Sequence, residues 1–190
     1  MSMNTVPERL AALRAAMAAN GVAVYLIPVG DPHASEYLPC HYTSLTWFSG
    51  FHGENSNFVV TRTESALWAD GRYFVQAEKE IAGTEIKLQR MGEPGVPTVE
   101  EYCANALNEG EALGLCGLTA STALVNDLKK ALEKKGASIK TLNLEDELWT
   151  EGRPARPATP AWILPKEYAG FSPAEKLERL RGRLKELGCT

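Results

Sequence analysis

The first twenty residues carry the hydrophobic spacing of an amphipathic helix. Thr5 and Glu8 have the spacing of a capping box, in which each side chain satisfies a free backbone N–H at the start of a helix. Asn20 and Gly21 end the helix, because glycine tolerates the left-handed backbone that closes one. The apolar stripe between these ends consists of Leu10, Leu13 and Met17.

From residue 22 onward, apolar runs of strand length alternate with segments of helical period. The run 22–29 is apolar on both faces, as expected of a strand buried inside a sheet. Further strands are predicted at 58–61, 65–69, 85–91, 112–117 and 138–142, and further helices from Tyr73 and at 98–107, 122–135 and 144–149. This alternation predicts an α/β fold with a mixed β-sheet flanked by helices.

Residues 30–57 interrupt the alternation. They show no clean period and are rich in Gly, Pro, His and aromatic residues. We expect a long ordered loop region with a short helix around Ser35–Leu38. Three aromatic residues of this region, Trp47, Phe48 and Phe51, are interpreted as core packing rather than as a recognition surface.

The composition changes near residue 154, where prolines become frequent. Four prolines within twelve residues predict a stiff, extended connector. Ser172 and Glu175 then form another capping box, and the leucines after it make one apolar stripe that ends at Gly188. The prolines are Pro154, Pro157, Pro160 and Pro165, and the leucines are Leu177, Leu180, Leu184 and Leu187.

An apolar helix face has to be covered by other residues, so the leucine stripe indicates that a second domain begins here. We expect an α/β domain over residues 1–160, followed over 161–190 by a linker and the first helix of a truncated second domain. The alternative is a C-terminal helix that folds back onto the first domain.

Composition and charge exclude several kinds of partner. The 190 residues contain 20 Lys and Arg against 24 Asp and Glu, without a dense basic run, so we expect neither nucleic acid nor a membrane as a partner. The four cysteines are scattered and include no C-x-x-C pair. Reduced thiols, and therefore a cytoplasmic protein, are the better interpretation for an acidic chain of this length.

Residues suited to metal binding or nucleophilic catalysis occur, but in no spacing specific to either. One group of four residues matches no zinc pattern, and we interpret it as organising a loop through hydrogen bonds. The group consists of Asp31, His33, Cys40 and His41. A nucleophile drawn from Ser35 or Cys40 with a histidine nearby lacks a supporting motif. We therefore expect neither a metal site nor a catalytic residue in this chain.

The turn that follows residues 65–69 carries an arginine whose role is open. One interpretation is local, with Asp70 capping the next helix and Arg72 paired with a nearby carboxylate. The other places Arg72 outward, where its forked donors would meet a carboxylate or carbonyl of a substrate or partner.

Several motifs follow one another in a specific order along nearly the whole chain. They are Asp31-x-His33-x-Ser35-Glu36-Tyr37, Ser49-Gly50-Phe51-x-Gly53, Leu67-Trp68-x-Asp70-Gly71-Arg72-Tyr73, Asn143-Leu144-x-Asp146-x-x-Trp149 and Arg153-Pro154-x-x-Pro157. In this order they resemble the N-terminal, creatinase-type domain of Xaa-Pro aminopeptidases (aminopeptidase P), most closely the three-domain cytosolic form. The resemblance implies the creatinase/prolidase N-terminal fold, which is ribonuclease H-like.

The resemblance also implies where the chemistry takes place. In this family a C-terminal "pita-bread" metallopeptidase domain holds two divalent metal ions, usually manganese, through two Asp, one His and two Glu. A bridging hydroxide attacks the bond that precedes proline. None of those ligands can be placed in this chain. The implied role of residues 1 to about 160 is therefore non-catalytic: to pack beside the catalytic domain, shape access for the amino end of a peptide whose second residue is proline, and assist homodimer assembly.

Two departures from the family pattern bear on substrate contact. The family loop Gly-Phe-Thr-Gly-Ser-Ala-Gly is replaced here by GFHGENS at positions 50–56, and two arginines that often precede it are replaced by Tyr42 and Thr43 or their neighbours. A different peptide preference or assembly would follow if these positions touch substrate or a partner subunit. We expect His52, Arg72 and Tyr73 to face the active-site cleft of the full enzyme.

A second function stays open beside the enzyme. Histone-chaperone subunits carry a pseudo-peptidase with a similar N-terminal domain, which would bind peptide or protein without hydrolysis. Metal ligands encoded downstream would favour the enzyme, and their loss would favour the binding module. A complete small protein of unknown role is disfavoured by the uncovered leucine stripe.

Overall fold

A computed structural model describes residue 3 and residues 5–189. The chain divides into two compact units, one ending at Arg156 and the other beginning at Pro157. Among the described residues, no helix combines the length and the apolar character needed to cross a bilayer.

The first unit is built on one six-stranded mixed sheet. Its strands are β1 Val24–Pro28, β2 Asn57–Thr61, β3 Ser65–Ala69, β4 Ile86–Arg90, β5 Ala112–Leu115 and β6 Ser138–Thr141. Their order across the sheet is β4-β3-β2-β1-β5-β6. Strand β2 runs antiparallel to β1 and β3, whereas the pairs β1–β5, β3–β4 and β5–β6 are parallel. The predicted α/β architecture with a mixed sheet is confirmed.

Helices cover both faces of this sheet. The helices of the first unit are α1 Val6–Ala19, α2 Ser44–Ser49, α3 Phe74–Glu80, α4 Val99–Asn105, α5 Thr122–Glu133 and α6 Leu144–Leu148. Side chains alternate along β1, so Tyr25 and Ile27 join a core with α1, α2, α3 and α6, while Val24 and Leu26 join a second core with α4 and α5. All five residues of β1 are buried, as the apolar run predicts.

The predicted capping boxes are present. Thr5 accepts a hydrogen bond from the backbone N–H of Glu8, whose carboxylate accepts the backbone N–H of Thr5 in return. Thr98 and Glu101 repeat this arrangement at the start of α4. These reciprocal bonds satisfy amide groups that the first turn of a helix leaves unpaired.

The prediction of a short helix around Ser35–Leu38 is wrong. Asp31 accepts the backbone N–H groups of His33 and Ser35, both at 2.9 Å, which forms a turn instead. Ala34 adopts φ 52°, and Pro39 disfavours helical backbone at the residue before it. The helical residues of this region lie later, in a 3₁₀ turn at Cys40–Tyr42 and in α2.

The described part of the second unit, residues 157–189, contains two helices. These are α7 Lys166–Ala169, which sequence reasoning missed, and α8 Pro173–Glu186, which carries the predicted capping box of Ser172 and Glu175. The leucine stripe of α8 is exposed, at 40–60% for its four members. The predicted terminal helix is therefore present, while the second domain that it would begin stays a prediction.

Candidate functional site

The turn after β3 pairs Arg72 with Asp70. The Nε and Nη2 atoms of Arg72 donate to the Asp70 carboxylate, with the shortest distance 2.7 Å, and Asp70 also accepts the backbone N–H of Arg72. Asn55 donates to the same carboxylate at 3.1 Å. These donors, above all the Arg72 guanidinium, hold the pKa of Asp70 well below its usual value. The local pairing of Arg72 with a carboxylate describes this geometry, but the expected capping role of Asp70 is wrong, since the N-cap of α3 is Tyr73 and has no side-chain cap bond.

Arg72 nevertheless remains accessible. Its side chain is 65% exposed, and its guanidinium carbon lies 5.2 Å from the centre of the Tyr73 ring. The carboxylate and the ring thus fix the position of a cation that still faces solvent. Such a group can bind a carbonyl or carboxylate from outside the unit.

Residues 50–53 position the predicted His52. Gly50 closes α2 with a left-handed backbone, and Phe51 is fully buried. A Cβ atom at Gly53 would lie 2.1 Å from the Phe51 ring, so only glycine fits where the chain turns back over that ring. His52 therefore lies exposed between two anchored neighbours.

The surroundings of His52 are acidic. Its backbone N–H donates to Glu80 at 2.8 Å, and its ring Nδ1 lies 3.4 Å from the other oxygen of the same carboxylate. Tyr73 donates its hydroxyl to Glu54 at 3.3 Å, and its ring meets Phe51 edge-on at 6.1 Å. The loop is thus tied to both ends of α3, through Tyr73 at its start and Glu80 at its end.

Two neighbouring cavities flank Glu54. One, of about 740 Å³, lies beyond the carboxyl ends of the parallel strands β1 and β5 and is lined by Arg72, Asp31 and the start of α5. The carboxyl end of parallel strands is where open α/β sheets commonly bind ligands. The other cavity, of about 220 Å³, is lined by His52, Tyr42 and Glu54.

The three predicted site residues therefore lie in one region of the unit without forming a single pocket. Arg72 lines the larger cavity and His52 the smaller one. Tyr73 lies between them through its bond to Glu54 and its ring contact with Arg72. That they face an active-site cleft remains a prediction.

Sequence reasoning missed two acidic residues of this region. Glu54 lines both cavities, and Glu80 holds the His52 backbone. The only signal for Glu54 was its place in the loop that departs from the family pattern. Glu80 carried no signal, because its contact with His52 joins positions that are far apart in sequence.

Two of the four residues of metal-ligand type, Asp31 and His41, organise loops through their side chains. Asp31 holds the turn described above, and its backbone donors lower the pKa of its carboxyl group. His41 bonds through its ring to the carbonyl of Pro154. Within residue 3 and residues 5–189, no three His, Cys, Asp or Glu residues are grouped so that they could hold a metal ion.

The aromatic residues around α2 belong to the core. Phe48 and Phe51 are fully buried, and Trp47 packs against the same core with its ring stacked on Trp149 at 5.5 Å. The prediction of a packing role is confirmed.

A comparison with models of protein families assigns the chain to one family. The family described as "Creatinase/Prolidase N-terminal domain" matches residues 9–148. The chain belongs to this family. The resemblance and the fold predicted from the sequence motifs are thereby confirmed.

The curated proteins and solved structures to which the chain is similar include Xaa-Pro aminopeptidases. The chain is 38% identical over 190 residues to Aminopeptidase P2 of Arabidopsis thaliana, covering 97% of this chain and 27% of that protein. It is 33% identical to the X-prolyl aminopeptidase of Caenorhabditis elegans, which is described as a cytosolic enzyme with a di-nuclear active site. That structure matches 98% of this chain and 32% of its own chain with a TM-score of 0.81.

A third relative matches the family domain by itself. The N-terminal domain of the cytoplasmic peptidase PepQ of Mycobacterium tuberculosis has 25% identity and a TM-score of 0.54, covering 74% of this chain and 97% of that one. By contrast, the chain spans only 27–30% of the length of the first curated relatives. The domain is thus shared, and the rest of those relatives has no counterpart in these 190 residues.

Proposed function

We propose that this chain is the non-catalytic N-terminal domain of a metal-dependent Xaa-Pro aminopeptidase, an enzyme that removes an N-terminal residue preceding proline. Its partner is then a C-terminal catalytic domain outside these residues, where two divalent ions, of which manganese is the expected metal, supply the hydrolytic chemistry. We place the enzyme in the cytoplasm and expect it to act as a homodimer.

The observation that carries this proposal is the match to the nematode enzyme. Similarity extends over 98% of this chain with a TM-score of 0.81, so it includes residues on both sides of the boundary at Arg156. The matching portion is 32% of an enzyme whose active site is di-nuclear. A chain with this match is expected to work beside such a site rather than to contain it.

Within the enzyme, the region around Glu54 shapes the approach of the peptide. Arg72, fixed by Asp70 and still 65% exposed, binds a carbonyl or carboxylate of the substrate. His52 and Tyr73 line the way for its amino end, beside the carboxylates of Glu80 and Glu54. These residues bind and orient the peptide and hold no part of the hydrolytic machinery.

A chimera tests the proposal. The chain replaces the matching N-terminal residues of Arabidopsis aminopeptidase P2, and hydrolysis of Xaa-Pro peptides is measured with added manganese. We expect turnover by the chimera and none by the 190-residue chain alone. Turnover by the chain alone, or a folded and metal-loaded chimera that is inactive, would contradict the proposal. A chimera that binds such peptides without hydrolysing them would instead favour the binding module.

Arg72→Ala in the chimera tests the role of the cleft residue. Loss of a hydrogen bond from a charged donor costs about 1.5–3 kcal/mol, so we expect KM to rise about 10- to 150-fold while kcat is nearly unchanged. Arg62→Ala is the matched control, since Arg62 is 61% exposed and paired with Glu111 but lies in the turn at the opposite end of β3. Equal effects of the two variants would rule out a specific contact by Arg72.

A further inference from the structure

The smaller of the two cavities beside Glu54 has an apolar floor. Its volume is about 220 Å³, and it is lined by Leu45, which is 2% exposed, by the buried Gly53 and by the half-buried Val29 and Leu38. Pockets for drug-sized ligands measure about 300–1,000 Å³, so this cavity suits a single side chain. An apolar side chain that enters it leaves water for contacts with this floor.

The acidic side chains at the rim of this cavity have no lysine or arginine beside them. Glu36 and Glu54 are both exposed and line the cavity from two separate segments of the chain. Among the described residues of the lining, none is a lysine or an arginine, and the ring of its histidine, His52, lies 3.4 Å from the carboxylate of Glu80. A negative rim around an apolar floor complements a ligand that joins an ammonium group to an apolar side chain.

Glu54 is held in place by bonds within the unit. The Tyr73 hydroxyl donates to its carboxylate at 3.3 Å, and the Ser56 hydroxyl donates to its backbone carbonyl at 2.8 Å. Next to it, the Asn55 side chain donates to Asp70 at 3.1 Å. A carboxylate fixed in this way loses little conformational freedom when it pairs with a ligand, which favours binding.

The two cavities share one wall. Arg72 lines the larger cavity, where it is anchored by Asp70 and remains 65% exposed. A peptide whose first residue occupies the smaller cavity therefore continues across the wall, with a later carbonyl group at Arg72. The residues that line both cavities are Val29, Glu36, Leu38 and Glu54.

We infer that the smaller cavity binds the N-terminal residue of a peptide, with the ammonium group at Glu36 and Glu54 and an apolar side chain on the floor. The inference rests on the proposed function, because the ligand is the amino end of a substrate peptide, and it adds a preference for apolar first residues. An acidic first residue is disfavoured, since its side chain would meet the two carboxylates of the rim. Peptides with an acetylated amino end are disfavoured as well, because they carry no ammonium group.

Three small amides test the inference in the unmodified chain at about pH 7, where α-amino groups are mostly protonated. Leucinamide carries both the ammonium group and the apolar side chain, N-acetyl-leucinamide lacks the charge, and glycinamide lacks the side chain. We expect leucinamide to bind with a Kd of about 1 mM, as is usual for so small a ligand, and to shift the amide resonances of Leu38, His52 and Glu54 in ¹H–¹⁵N spectra. Each of the other two probes should bind about tenfold more weakly.

Variants assign the two contacts separately. Glu54→Gln keeps an acceptor for Tyr73 but loses the charge, so leucinamide should bind about three- to fivefold more weakly, and about tenfold more weakly when Glu36→Gln is added. Glu93→Gln is the matched control, since Glu93 is exposed in the turn after β4 and lines neither cavity, and it should leave binding unchanged. Leu38→Ala should weaken binding of leucinamide but not of glycinamide, a difference that a general loss of structure would not produce.

Several results overturn the inference. They are the absence of saturable shifts with leucinamide, equal affinities for leucinamide and either of the other probes, and equal effects of Glu54→Gln and Glu93→Gln. These results are separate from those of the chimera. An active chimera whose N-terminal unit does not bind leucinamide rejects this cavity alone, whereas an inactive chimera beside a chain that binds leucinamide rejects the proposed enzyme and retains the cavity.

Discussion

Glu145 is a buried carboxyl group between β1 and α6. It is 3% exposed, and the Tyr25 hydroxyl donates to it at 2.5 Å. The same hydroxyl accepts the backbone N–H of Leu144 at 3.1 Å. Burial, followed by the nearby charge of Asp146, raises the pKa of Glu145 to about 7, although the Tyr25 bond and Arg153 oppose that rise.

This raised pKa makes the stability of the first unit depend on pH. Because the folded-state pKa exceeds the ordinary value of 4.5, the folded protein retains a proton that the unfolded chain releases. The stabilisation from neutral Glu145 is therefore complete below about pH 4.5 and is lost as the pH rises through about 7. The shift corresponds to about 3 kcal/mol.

Glu145→Gln tests this dependence. The variant keeps an acceptor for Tyr25 but no longer ionises, so above pH 7 its free energy of unfolding should exceed that of the wild type by up to about 3 kcal/mol. Urea unfolding at several pH values measures the difference. Glu147→Gln, an exposed change on the same helix, should leave the wild-type pH dependence intact. A Glu145→Gln profile parallel to the wild type would show that Glu145 is ionised throughout.

Gly53 is predicted to tolerate no side chain. In Gly53→Ala the new Cβ would overlap the buried ring of Phe51, and relieving such overpacking costs about 1–3 kcal/mol. We expect a lower midpoint of thermal unfolding together with altered chemical shifts around His52. Gly71→Ala is the control, because a Cβ there meets nothing closer than 3.9 Å. Equal midpoints for Gly53→Ala and the wild type would mean that the loop can move away at no cost.

At the scale of elements, α1 and α8 have the same sequence pattern but different surroundings. Both contain 14 residues, begin with a capping box and carry an apolar stripe. Leu13 is fully buried, whereas Leu180 is 54% exposed. We expect Leu13→Ala to lower the free energy of unfolding by about 2–5 kcal/mol and Leu180→Ala by less than about 0.5 kcal/mol. Similar losses for both would show that the stripe of α8 is covered in solution, and denaturant titration decides between these outcomes.

The elements that the sequence predicted correctly are those with local causes. The capping box of Thr5 and Glu8, and the apolar run that became β1, are readable from neighbouring residues. Helix α2 was missed because six residues make fewer than two turns, too few for a period to emerge. It forms because Phe48 packs into the core and Gly50 closes the last turn, and only tertiary structure supplies that core.

The candidate site was predictable in part for the same reason. Arg72 follows a strand and a turn signal, so its position and its local pairing could be inferred from residues 70–72. The bond of His52 to Glu80 joins positions 28 residues apart, and the bond of His41 to Pro154 spans 113. Such contacts depend on how the loops meet above the sheet, which no local pattern encodes.

At the scale of the whole molecule, the hydrophobic core belongs to the first unit. Both core clusters consist of residues between Val6 and Leu148. Among the described residues 157–189, none is a member of either cluster. The first unit therefore has what a domain needs to fold by itself.

The position of the boundary can be tested by shortening the chain. We expect residues 1–156 to unfold cooperatively, with a midpoint within a few degrees of the full chain, because the bonds of Arg153 and Pro154 to His41 are kept. Residues 1–152 should be less stable, since that chain lacks Arg153, which is 9% exposed and bonded to Asp146 and to the His41 carbonyl. Removing one partner of a hydrogen-bonded ion pair whose carboxylate is 36% exposed costs about 1.5–3 kcal/mol, which in a domain of this size lowers the midpoint by about 3–12 °C. If the two shortened chains unfold at the same midpoint, Arg153 does not anchor the end of the unit. If residues 1–156 show no cooperative transition, the fold requires residues beyond Arg156.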